Sequence, residues 1–348
     1  MYKRVNYLEN KYKLLLDRKI FINSISKHFA KGTYNSLLES TSACGTANLR
    51  RNNIYKGIGF LKNWEGISIF LDAYIDKKFL KYKSKFNVAL LVESKSVKPD
   101  IYKRIFQLEK HFDLILTHDR EILINFENKA RYVPASIVSI GEKYFGTNFN
   151  DKKFLISFNY SEKKELPGHK LRHLIAKRYE NISSKIIHRL GSGPQGIRIV
   201  EKGEMLKPYH FSICIENTEY SDYFTEKILD CFASGVIPIY WGTKNVQKYF
   251  NPKGILFFNT IQELDQIISN IEENGLQIYE SMQVYVEENY KLSRSFLMFD
   301  DLHLLEILDF IESKKGLDFF NNIISINPKI NIKKTFFEKF LENLLGKI

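Results

Sequence analysis

KPYHFSICIENTEYSDYFTEKILDCFASGVIPIYWG (207–242) is the stretch whose reading decides the fold. The apolar run at 211–216 predicts a buried strand that ends on the polar pair Glu216 and Asn217. A polar loop follows, Thr225 is placed to cap a helix over 225–234, and 236–241 predicts the next strand. Strand, loop, helix and strand in this order are a unit of a parallel α/β sheet.

The same alternation extends outward on both sides. Towards the N-terminus, 154–159 (FLISFN) predicts a strand, 170–180 a helix and 185–190 a strand; towards the C-terminus, 255–258 predicts a strand. Apolar residues three and four apart predict closing helices at 262–274, 276–290 and 301–313. An earlier α/β half is expected from the strand 87–93 (NVALLVE), the helix 101–110 and the strand 112–117 (FDLILT), and it ends at 130–134. A polar, glycine-containing stretch at 141–153 separates the halves, so the expected domains are 1–150, 151–325 and a tail, 326–348. Residues 1–85 give no sheet order and no function.

Ligands of open parallel sheets collect at the carboxyl ends of strands, and helix N-termini present unpaired N–H groups and partial positive charge suited to phosphate. Glu226 and Lys227 fall in the first turn of the predicted helix, with Tyr220 and Tyr223 just before it. An adjacent charged pair on a helix is usually a solvated surface feature; the strand-loop-helix context argues for a phosphate site here.

ENTEYSDYFTEKILDCFASGVIPIYWG resembles the donor-binding signature of the alpha-1,3-fucosyltransferase family (glycosyltransferase family 10): ENS or ENT, a short variable stretch, Y-V-T-E-K, a helix, then V-P-V or I-P-I. Phe224 stands where that pattern has valine. The likeness is strong over 207–259 and weak before 154. It implies a GT-B fold, in which two Rossmann-like domains face a cleft and the C-terminal one holds GDP-fucose for an inverting displacement. It also implies roles by position: Lys227 on the pyrophosphate, Glu226 near ribose and fucose, and Asn217 and Tyr223 on the nucleotide. GHKLRHLIAKRYE (168–180) resembles the family's arginine-bearing helix. It makes Arg172 the second phosphate ligand, with Arg178 the competing choice and a solvated basic face the alternative for both. Gly191 and Ser192 fall where the family has a small-residue loop beside the nucleotide.

Cleaving a glycosyl-phosphate bond needs positive charge on the departing diphosphate. The chain contains no Asp-x-Asp motif, and Lys227 with Arg172 can stand in for a metal. No metal and no cofactor beyond the GDP-sugar substrate is expected. The acceptor hydroxyl needs a base. Glu93 and Pro99 in VESKSVKP match a strand-end glutamate followed by proline in the family, with Asp119 the runner-up, His118 a structural or acceptor-side residue, and an exposed strand-end glutamate the plain alternative.

Composition bounds the rest. With 44% hydrophobic and 26% charged residues the chain is globular, and no run approaches the roughly 20 apolar residues of a membrane span. The charged first sixteen residues are unlike a secretory signal, so a cytoplasmic location is expected. Three cysteines (Cys44, Cys214 and Cys231) without CxxC spacing indicate neither a disulfide framework nor a zinc site. A net charge of +12 attracts polyanions, but no nucleic-acid reading module is present and none is expected as partner. TFFEKFLENLLGKI (335–348) predicts a basic amphipathic helix, suited to an anionic membrane face and a lipid-linked glycan acceptor, to packing on the second domain, or to oligomerisation. Two rivals stay open: transfer of another GDP-linked sugar, and an inactive nucleotide- or nucleic-acid-binding protein.

Overall fold

The computed structural model describes residues 2–12, 20–25, 55–58, 61–181, 186–194, 196–197, 199, 201–296 and 299–326. Cys44 and the predicted tail helix lie outside them. Two all-parallel sheets organise the chain.

After helix α1 (Tyr2–Lys11), the first sheet takes β1 (Ile20–Ile25), β2 (Tyr55–Ile58), β3 (Ile67–Leu71), β4 (Phe86–Leu91), β5 (Leu114–Thr117) and β6 (Ala130–Tyr132). They lie in the order β2-β1-β3-β4-β5-β6. Every residue of β4 and β5 is buried, as expected of strands covered on both faces. One face packs on α2 (Pro99–Leu108) and α3 (Arg120–Asn125), through Ile101, Ile105, Leu108 and Ile122.

The second sheet takes β7 (Phe154–Asn159), β8 (Ile187–Leu190), β9 (Tyr209–Ile215), β10 (Ile237–Trp241) and β11 (Leu256–Phe257), in the order β11-β10-β9-β7-β8. Helix α4 (Pro167–Arg178) connects β7 to β8, and α5 (Glu226–Ala233) connects β9 to β10. Helices α6 (Ile261–Ser281) and α7 (Gln283–Ser293) close this domain. The sequence break expected between 274 and 276 is a kink: Asn274 leaves helical geometry (φ −131°, ψ 17°) inside α6.

The structure draws the domains differently from the expected boundaries. Val133 belongs to the first core, whereas Val138 and Ile140 already pack with Ile228 and Phe232 of the second, so the crossover falls near 134–137 and not at 150. The chain also returns. Helices α8 (Phe299–Lys315) and α9 (Leu317–Ser325) bury Leu305, Leu308, Ile311, Phe320 and Ile323 against Ile20, Ile22, Val88 and Leu116 of the first sheet. Arg4 donates to Glu306 (2.8 and 2.7 Å) and Asp309 (2.7 Å), fastening α1 to α8. An apolar stripe on a helix does not say which sheet covers it; residues 299–325 therefore read as part of the second domain although they complete the first. Among the described residues no helix is long and apolar enough to cross a membrane.

Burial gives the fold a directional pH response. It pushes His118 down to about 4 and His303 to about 3, so the folded chain keeps both rings neutral. Above pH 6.5 folded and unfolded rings are alike. As pH falls through 6.5 the unfolded chain takes up protons the core refuses, and stability falls by about 1.4 kcal/mol per pH unit for each ring. The Asp72 carboxyl, raised to about 7, acts in the opposite direction, so the histidine contribution is read by difference: between pH 7 and 5 the unfolding midpoint of the wild type should fall relative to that of His303→Leu.

Candidate functional site

The second sheet changes winding direction between β7 and β9, since β8 is added on one side and β10 and β11 on the other. Such switch points open a crevice at the carboxyl edge. A cleft of about 260 Å³ lies there, lined by Asn159 at the end of β7 and Tyr160 just beyond it, Arg172 on α4, Asn217 after β9, and Glu226 and Lys227 at the start of α5. Both helices begin at the carboxyl edge of the sheet, and their first turns border this cleft.

The local sequence builds this edge tightly. Thr225 is the N-cap of α5, its Oγ1 accepting from the Lys227 N–H (3.5 Å) and from Lys227 Nζ (2.9 Å). The same hydroxyl donates to Glu216 Oε2 (2.7 Å), and the Thr225 N–H donates to Glu216 Oε1 (2.8 Å), so the fully buried Glu216 seats the helix on the end of β9. Helix α4 is seated by Gly168, whose N–H donates to Asn217 O (3.0 Å). A Cβ on Gly168 would lie 1.8 Å from the Glu216 carbonyl oxygen. Gly168→Ala must push α4 off the strand end. We expect a loss of about 1–3 kcal/mol, the usual range for overpacking, measured by denaturant unfolding.

Charges of both signs meet in this cleft. Lys227 Nζ lies 3.3 Å from Glu226 and 3.5 Å from Glu216. Burial opposes the Lys227 ammonium, but Glu226 and then Glu216 outweigh it and raise its pKa. Burial likewise opposes the Glu226 carboxylate, but Lys227 and then Lys202 hold it well below the usual range. Arg172 is buried and donates to neutral acceptors, Ile215 O and Asn217 Oδ1 (3.1 Å). Burial pulls its guanidinium down, with Glu216 acting against that, and it stays a cation at neutral pH.

Lys202 escaped the sequence reading. It lines the cleft, 2.7 Å from Asp230 and 3.6 Å from Glu226, and donates to Ser139 Oγ (3.2 Å). Asp230 is fully buried, which raises its pKa against the pull of Lys202. The usable signal was the spacing of Glu226 and Asp230, four residues apart on one helix face. Nothing in the sequence pointed to the lysine that bridges them.

The predicted residues divide into groups. Arg172, Asn217, Glu226 and Lys227 line one cleft. Arg178, the competing arginine, pairs instead with Asp265 (2.8 Å) on the exposed side of α4. Gly191 and Ser192 stand outside the lining, at the rim: Gly191 has φ +100°, and a Cβ there would be 2.4 Å from Asn159 Oδ1 and Tyr160 O. Tyr223 lies on the seam between domains, its ring 5.3 Å from that of His118. The same loop meets the first domain through Thr218 and Ser96 (3.1 Å) and through Asp222 and Arg120 (3.0 Å). The carboxyl edges of the two sheets therefore face each other.

Glu93 is exposed just beyond β4 on that edge. Burial, then the charges of Glu216, Glu226 and Glu93, raise the pKa of the buried Tyr223 phenol. Asp119, the runner-up base, is buried and caps α3 by accepting from the Ile122 N–H (3.0 Å).

Two Rossmann-like parallel α/β domains facing each other across a phosphate-suited cleft are the GT-B architecture. Residues 172–296 match "Glycosyltransferase family 10 (fucosyltransferase) C-term", so the resemblance read from the sequence holds for the domain that carries the cleft. The alpha-(1,3)-fucosyltransferase FucT of Helicobacter pylori is 42% identical over 77 residues, 22% of this chain and 16% of that one. An alpha-(1,4)-fucosyltransferase of Arabidopsis thaliana is 35% identical over 69 residues, 19% of this chain and 17% of that one. These matches thus span about a sixth of each relative. The crystal structure of an alpha1,3-fucosyltransferase with GDP superposes with a TM-score of 0.52 at 18% identity, over 84% of this chain and 90% of that one. A further alpha1,3-fucosyltransferase structure gives 0.50 at 17% identity, over 90% and 93%. At these identities they establish the fold.

Proposed function

We propose that this chain is an inverting, metal-independent glycosyltransferase that moves fucose from GDP-fucose to a hydroxyl of a glycan acceptor. The observation that carries the reading is the convergence of Arg172, Lys202 and Lys227 on one cleft at the switch point, inside the family 10 domain. Arg172 and Lys227 hold the diphosphate. Asn217, Glu226 and Tyr223 orient the nucleotide and sugar, and the loop at Gly191 and Ser192 lies beside the nucleotide. The acceptor oxygen attacks the anomeric carbon from the side of the first domain while the carbon-to-phosphate oxygen bond breaks. GDP leaves with the bonding electron pair, and the acceptor proton passes to Glu93. One displacement inverts the anomeric centre, and the growing charge on GDP is met by side-chain cations fixed before the reaction begins. The basic tail, on this reading, brings the enzyme to a lipid-linked acceptor at an anionic membrane face.

Calorimetric titration with GDP and GDP-fucose, with and without EDTA, tests the donor and the metal together. Equal binding in both buffers is expected. Loss of binding in EDTA would overturn metal independence, and absence of GDP binding in either buffer would overturn the donor class. Binding of GDP without turnover of GDP-fucose would direct attention to another GDP-linked sugar.

A further inference from the structure

We propose that Asp72, at the end of β3, is a positioning residue that fixes Glu93 for its role as base, an inference that rests on the assignment of Glu93 above. Asp72 Oδ1 accepts from two consecutive backbone donors, the N–H of Val92 (3.0 Å) and the N–H of Glu93 (3.3 Å). On the other side of the same residue, Tyr102 Oη donates to the Glu93 carbonyl (2.5 Å). The Glu93 backbone is thus clamped on both its N–H and its C=O while its side chain stays exposed on the edge that faces the donor cleft. Such a double clamp satisfies backbone groups at a strand end, and it also fixes a carboxylate that must meet one acceptor hydroxyl, where misplacement by an ångström costs large factors in rate.

Asp72 itself adopts φ +44°, a left-handed conformation uncommon for a residue with a side chain. That conformation lets one side chain reach across from β3 to the end of the neighbouring β4. Burial pushes its carboxyl up to about 7, against the pull of the Val92 and Glu93 N–H groups, with the charge of Glu93 adding to the rise and Lys98 opposing it. The work of Asp72 is to hold the turn on which Glu93 stands.

Two substitutions separate geometry from charge. Asp72→Gly keeps the left-handed backbone accessible but deletes the acceptor; Asp72→Asn keeps an acceptor oxygen and the conformation, which asparagine tolerates, and deletes the charge. With GDP-fucose and an accepted glycan, Asp72→Gly is expected to lower kcat by about 10- to 100-fold with unchanged KM for the donor and unchanged GDP affinity. Asp72→Asn should return most of that loss. Wild-type kcat in Asp72→Gly would overturn the proposal, as would Asp72→Asn failing as badly as Asp72→Gly, or a loss of GDP affinity that matches the loss of kcat. Glu93→Gln measured alongside keeps the two readings apart. If Glu93→Gln turns over normally, the base assignment fails; if it is inactive while Asp72→Gly is normal, only the role of Asp72 fails.

Discussion

Lys227→Ala is expected to lower kcat/KM for the donor by about 10²–10³-fold, the range found when one fixed donor to a developing anion is removed. GDP affinity should fall with it. The ammonium does three things at once: it faces the cleft, it donates to the cap hydroxyl of Thr225 (2.9 Å), and it lies within 3.5 Å of two carboxylates, Glu216 and Glu226. Without it, Glu226 in the lining and the buried Glu216 behind it lose compensation, and the attraction for the incoming diphosphate is weakened. Lys227→Arg should rescue only part of the loss, because a planar guanidinium cannot keep the compact contacts to Thr225 and Glu216. Initial rates and GDP calorimetry on the two variants decide the matter; GDP binding of wild-type strength in Lys227→Ala would remove this lysine from the diphosphate.

The charge arrangement explains why the cleft can be positive without being unstable. Three cations, Arg172, Lys202 and Lys227, stand among three carboxylates, Glu216, Glu226 and Asp230, so the half-buried lysines are held by partners rather than exposed to mutual repulsion. Breaking one member of such a cluster is costly because the remaining buried charge loses its compensation. The cations are preorganised in the same way: Lys202 and Lys227 are held by carboxylates, and Arg172 by the Ile215 carbonyl and Asn217 Oδ1, before any phosphate arrives. Rearrangement at the moment of reaction is then small, which is where an electrostatic site gains over water.

The second domain was legible because its signals are local. The 207–242 window predicted β9, the Thr225 cap, α5 and β10, and all four stand where the residues placed them, within one or two positions. Arg172, Asn217, Glu226 and Lys227 were placed by likeness to a family motif, and the fold brings them to one cleft. What the sequence concealed depends on contacts distant along the chain. Helices α8 and α9 have apolar faces, but only the assembled sheet shows that Val88 and Leu116 receive them, about 200 residues from their own position. Lys202 was hidden because its partners, Ser139 and Asp230, come from the crossover and from α5. The β1–β3 region was silent because β1 (IFINSI) and β2 (YKGI) mix polar with apolar residues and form no continuous apolar run like those of β4 and β5.

Glu93→Gln should separate chemistry from binding most cleanly of all single substitutions here. Glutamine has nearly the shape of glutamate, keeps the backbone contacts to Asp72 and Tyr102, and lies in the domain opposite the diphosphate cleft. GDP affinity and the donor KM should therefore stay at wild-type values. Glutamine cannot accept the acceptor proton, and kcat should fall by about 10²–10⁴-fold, the usual contribution of a positioned general base. The alternative carboxylate on this edge, Asp119, is buried and its Oδ1 accepts the Ile122 N–H at the start of α3, whereas Glu93 is exposed. A Glu93→Gln enzyme that turned over at the wild-type rate would mean that the proton leaves by another route, and the cleft side of the first domain would have to be searched again for the group that takes it.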